Sequence, residues 1–118
     1  MEAGRAVTRR IEVAPAFERD LKRLGRRYRG IREDLEPLIE QLVDGATPGD
    51  RVQAVRAVVY KVRLSNRDAR RGKSGGYRVI YYLPTDDVTI LLTIYSKTDQ
   101  TDLPAREIAL LLEEARLG

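Results

Sequence analysis

Lys61, Arg63, Arg78 and Lys97 are set among tyrosines and aliphatic residues in three strand-like runs, YKVRL, SGGYRVIYYL and VTILLTIYSK. Neighbouring side chains on a strand point to opposite sides. Tyr60, Val62 and Leu64 therefore share one side of the first run, and Val59, Lys61 and Arg63 the other. In the second run Tyr77, Val79, Tyr81 and Leu83 form an apolar face, with Arg78, Ile80 and Tyr82 opposite. The third sets Val88, Ile90, Leu92 and Ile94 against Thr89, Leu91, Thr93, Tyr95 and Lys97. If the mixed faces coincide, one surface gathers Lys61, Arg63, Arg78, Tyr82, Tyr95 and Lys97. Cations at that density attract phosphate, and interleaved tyrosines give bases a ring to stack on.

The loop between the first two runs, NRDARRGK, adds Arg67, Arg70, Arg71 and Lys73. From Lys61 to Arg78 seven basic residues stand against one acid, Asp68, a local charge of +6, whereas the whole chain carries only +4. The bland reading of such a run is a solvated basic hairpin. Tyr77 and Tyr81 read as core, and Tyr82 and Tyr95 fit a half-buried sheet as well as a stacking role.

The chain of 118 residues has the length of one domain, and its 42% hydrophobic and 34% charged residues fit a globular protein. No apolar run approaches the roughly 20 residues that span a bilayer. MEAGRAVTRR lacks the apolar centre of a secretory signal, so residues 1–8 read as a flexible basic leader to one domain over 9–118, with a cytoplasmic location expected. With no cysteine there is no disulfide or thiolate chemistry, and with no histidine there is no imidazole-based triad or His-ligated zinc. Acid or base work falls to Lys, Arg, Tyr, Asp or Glu. A pI near 9.6 points to an anionic partner.

The elements that must position these residues follow from period and punctuation. Arg9 to Ala14 alternates as a short strand before Pro15, a residue suited to the first turn of a helix. Phe17, Leu21, Leu24 and Tyr28 fall on one helical face, and the same helix carries seven basic residues between Arg19 and Arg32 against Asp20. Gly25 and Gly30 are read as its end. A second helix, with Ile31, Leu35, Leu38, Ile39, Leu42 and Val43 on its apolar side, is either kinked at Pro37 or begins near Asp34, and stops at Gly45. Ala46 to Arg51 reads as a loop, and Val52 to Ala57 as strand or irregular chain. Asp86 and Asp87 read as a turn after Pro84, not as metal ligands. Ile108, Leu111, Leu112 and Ala115 give a closing helix, with Asp102 as its expected cap. The expected fold is α+β: an antiparallel sheet of about four strands, two N-terminal helices and a C-terminal helix, in the order β-α-α-β-β-β-α, with the helices on one face.

This order, with YKVRL, the phrase GKSGGYRVIYY and LLTIYSK before a final helix, resembles the RelE/ParE superfamily of bacterial toxins, most nearly its RelE and HigB-like branch. The resemblance runs from Ile11 to about Ala115 and implies the toxin of a type II toxin–antitoxin system. In the RelE branch such a toxin cleaves messenger RNA in the ribosomal A site, and a cognate antitoxin silences it. The ParE branch has a similar fold and poisons DNA gyrase. The resemblance carries catalytic roles to Lys61 and Arg63 on the first hairpin strand, to Arg78 after the glycine turn and to Lys97 after the last strand. Thr98 stands where the RelE pattern has an arginine and Pro104 where it has a tyrosine; Lys73, Tyr82 and Tyr95 are the candidate replacements.

Attack of an RNA 2′-hydroxyl on its own phosphate needs a base, stabilisation of the phosphorane and a proton for the leaving oxygen, without metal or other cofactor. A lysine ringed by cations has its charged form disfavoured, which makes Lys61 or Lys73 the expected base. Arg63 and Arg78 would grip the phosphate with paired donors. Lys97 would be the acid, with Arg67, Arg70, Arg71, Tyr82 and Tyr95 contacting RNA. The other expected readings are a ParE-like gyrase inhibitor with no nuclease activity, and an inactive basic nucleic-acid-binding module.

Overall fold

The computed structural model describes residues 8–67, 76–99 and 102–117. The basic leader, apart from Thr8, and the loop residues Arg70, Arg71 and Lys73 lie outside the described residues. The elements run β1 (Arg10–Val13), α1 (Pro15–Arg27), α2 (Ile31–Val43), β2 (Asp50–Arg51), β3 (Val59–Leu64), β4 (Tyr77–Tyr82), β5 (Val88–Ser96) and α3 (Ala105–Leu117).

Pro15 occupies the first turn of α1, and Glu18 near its start and Arg26 and Arg27 near its end complement the helix dipole. Gly25 lies inside α1, which instead ends at Tyr28, whose N–H bonds the Leu24 carbonyl. α2 runs through Pro37 from Ile31, so it does not begin near Asp34. It ends where expected. Gly45 takes φ 94°, a left-handed conformation that suits glycine, while its N–H and that of Ala46 reach back to the Leu42 and Gln41 carbonyls.

The strands form one five-stranded sheet in the order β1-β5-β4-β3-β2. It is mixed, not wholly antiparallel: β1 lies parallel to β5, and the other pairs are antiparallel. Connectivity permits the parallel pair, since the chain passes through two helices and three strands before it reaches β5. The fifth strand, β2, is two residues long and falls in the stretch expected to be loop.

The helices divide between the two faces of the sheet, where all three were expected on one. Phe17 and Leu24 of α1 and Ile31, Leu35, Leu38 and Leu42 of α2 pack on Tyr77, Val79, Tyr81, Leu91 and Ile94. Ile108 and Leu112 of α3 pack on the opposite face, against Val59, Ile80, Leu92 and Tyr95. β3 and β4 present the faces expected from alternation. β5 does not, because its register with β4 shifts between Ile80 and Tyr81: Ile80 pairs with Thr93 and Tyr81 with Leu91, leaving Leu92 as the extra residue of a bulge. The bulge puts Leu91 and Ile94 on the α1/α2 side and Leu92 with Tyr95 on the α3 side.

Candidate anion-binding site

The α3 side of the sheet carries the cations. Arg63 pairs with Arg78, and Arg78 with Tyr95, so these three form one row across β3, β4 and β5. Adjacent strands lie about 4.8 Å apart, so the two guanidinium stems stand side by side. Like charges directly opposite destabilise a sheet unless an anion joins them. The next row on this face is Lys61, Ile80 and Thr93, and the one beyond it Val59, Tyr82 and Ile90. Arg63 is exposed and has no hydrogen bond or ion pair among the described residues. Arg78 is half-buried, its Nη1 donating to the Tyr77 carbonyl at 3.3 Å. The turn that feeds β4 requires Gly76, because a Cβ there would collide with the Leu64 carbonyl oxygen.

Lys61 has a carboxylate as its close neighbour, in place of the cationic surroundings on which a base role rested. Its Nζ donates to Asp102 Oδ1 at 2.9 Å, and the same oxygen accepts from the Leu103 N–H at 2.9 Å and from the Tyr95 hydroxyl at 3.3 Å. The hydrogen bond from Lys61, then that from Leu103, holds the Asp102 carboxyl below the ordinary carboxylate range. α3 starts at Ala105, so Asp102 does not cap it as expected; it pins the chain entering α3 to β3.

Tyr95 is 3% exposed, with its ring in the α3-side core. Burial first, and then the Asp102 charge and hydrogen bond, push its phenol up to about 12. Enclosed in this way, the ring presents no face on which a base could stack. Tyr82 is half-buried against the same core. Lys97 follows β5, its N–H on the Gly76 carbonyl, and its side chain is half-buried.

Arg67, expected on RNA, is joined to α2. Its Nε donates to Asp34 Oδ1 at 2.8 Å and its N–H to Oδ2 at 3.4 Å, with the Asp34 side chain 2% exposed. Arg70, Arg71 and Lys73 lie outside the described residues; of the expected set, Lys61, Arg63, Arg78, Tyr82 and Tyr95 are brought onto this face. Sequence reasoning missed the partners Asp102 and Asp34, which the local pattern offered only as a helix cap and a possible helix start. Among the described residues no group of carboxylates or imidazoles could hold a metal ion, and no helix is long and apolar enough to cross a membrane.

By its family match the chain that builds this mixed sheet is a type II toxin–antitoxin toxin, a class that implies a cognate antitoxin as partner. The sequence model of the ParE toxin of type II toxin–antitoxin systems, parDE, matches residues 11–100, and the chain belongs to that family. The match takes in Lys61, Arg63, Arg78, Tyr82, Tyr95 and Lys97 and stops short of Asp102 and α3. Comparison with individually curated proteins gives no match.

Proposed function

We propose that this toxin acts by occupying its target, without cutting RNA, and that the target is DNA gyrase, as in the ParE branch. The ion pair of Lys61 with Asp102 carries this reading. Metal-free RNA cleavage needs a group that takes a proton. Lys61, the expected base, is tied to Asp102 by a 2.9 Å hydrogen bond in place of the cationic neighbours on which that role rested. Tyr95 keeps its proton to about pH 12, and the guanidiniums of Arg63 and Arg78 do not titrate. Among the described residues, Arg63 and Arg78 then give this face a fixed positive charge suited to binding.

The second reading is a metal-independent, ribosome-dependent messenger RNA endonuclease that arrests translation in the A site. Arg63 opposite Arg78 favours it, since two guanidiniums side by side suit one phosphate. Lys73 and Lys97 would then supply the base and the acid.

Induced expression separates the two when DNA damage signalling and transcript 5′ ends are followed together. A damage response over intact messages supports gyrase as target. Codon-phased cleavage with translation arrest, before any damage response, would replace it with the nuclease.

A further inference from the structure

Arg106, Ala109, Glu113 and Arg116 recur on α3 at intervals of three, four and three, which sets them in one stripe along the helix. The 52–57 segment faces this stripe. Between them lies an open groove of about 440 Å³ whose other lining includes Arg56 and the small or aliphatic side chains of Ala54, Val55, Ala57 and Leu112. Arg56, Arg106, Glu113 and Arg116 are exposed, and among the described residues none of them has a hydrogen bond or ion pair. Three of the four arginines on α1 differ in this respect: Arg19 pairs with Glu114, Arg23 with Asp20 and Arg27 with Asp99. Two arginines about 15 Å apart along a helix axis, with a glutamate between them and a third arginine across the groove, make a patterned surface.

We propose that this groove docks an amphipathic helical segment of a partner protein, with carboxylates ten residues apart, a lysine between them and small apolar side chains facing inward. Charge complementarity selects that occupant. Arg106 and Arg116 offer planar forks that match carboxylates, and Glu113 takes the intervening ammonium. A nucleic-acid strand fits poorly, because its evenly spaced phosphates would meet Glu113 and no aromatic ring lines the groove to receive a base. The aliphatic lining instead suits the apolar stripe of a helix laid in a groove. The inference is independent of what Arg63 and Arg78 bind, and α3 lies beyond the span matched by the ParE family.

The test uses the full chain and a labelled synthetic amphipathic helix of fourteen residues. It has glutamates at its second and twelfth positions, a lysine at its fifth, and a leucine–alanine stripe. Fluorescence anisotropy should give saturable binding that weakens about tenfold or more in the double variant Arg106→Glu, Arg116→Glu. Glu113→Lys should weaken the peptide and strengthen a twelve-nucleotide single strand. Circular dichroism confirms that the variants fold, which these exposed positions allow. Equal binding by a charge-inverted peptide, an unaffected double variant, or tighter binding of the oligonucleotide by the unaltered protein would each overturn the proposal.

Discussion

At the scale of single residues, Asp102 decides how the cationic face behaves. Its carboxylate sits on Lys61 where a phosphate oxygen or an acidic side chain of a target would otherwise sit. The pair is largely solvated, with Asp102 62% exposed, so it contributes under about 1 kcal/mol to stability. Asp102→Asn should therefore fold normally while binding a model polyanion such as heparin several-fold more tightly, as measured by the salt needed for elution. Because the folded pKa of Asp102 is lowered, its small stabilisation is present above the unfolded value near 3.8 and lost as pH falls through the folded one. Tyr95 has the opposite sign. Its folded pKa is raised from 10.0 to about 12, so its contribution is intact below 10 and lost as pH rises through about 12. In an absorbance titration of the native protein Tyr95 and Tyr81, whose phenol burial also pushes up, should ionise late with Tyr95 first, and Tyr95→Phe should remove that earlier step. Arg67 gives a sharper stability effect than the Lys61 pair. Arg67→Ala would leave the Asp34 carboxylate, 2% exposed, without its guanidinium, at an expected cost of about 1–3 kcal/mol in chemical denaturation.

At the scale of elements, α3 is held to the sheet mainly by Ile108 and Leu112. Leu112→Ala should cost about 2–4 kcal/mol and, by loosening α3, should raise hydrogen exchange at Leu103 and along the helix ahead of the α1/α2 side. Much of this architecture was legible in the sequence. The face carrying Lys61, Arg63 and Arg78 could be read because β3 and β4 alternate cleanly, their other face being uniformly apolar. β5 could not be read in the same way: it is buried on both sides over most of its length, so no polar period exposes the extra residue at Leu92. The parallel pairing of β1 and the placement of α3 on the far face are long-range choices that four residues of β1 or one amphipathic helix do not encode locally. The pairs Lys61–Asp102 and Arg67–Asp34 join residues 41 and 33 positions apart, and their acids carry no local mark of the partner.

At the scale of the whole molecule, the chain is a ParE-family toxin whose β3 and β4 set Arg63 and Arg78 side by side on one face. Arg63→Glu with Arg78→Glu should abolish growth inhibition without unfolding the protein, because Arg63 is exposed and the Arg78 side chain makes a single backbone hydrogen bond among the described residues. That result alone fits any anionic target, so target identity needs its own assay. The most direct is the supercoiling of relaxed plasmid by purified DNA gyrase with increasing amounts of the purified toxin. Binding without RNA cleavage calls for supercoiling to fall with dose and for the Arg63→Glu, Arg78→Glu protein to leave it intact. Undiminished supercoiling at saturating toxin, from a preparation that cleaves messenger RNA on translating ribosomes, would contradict it.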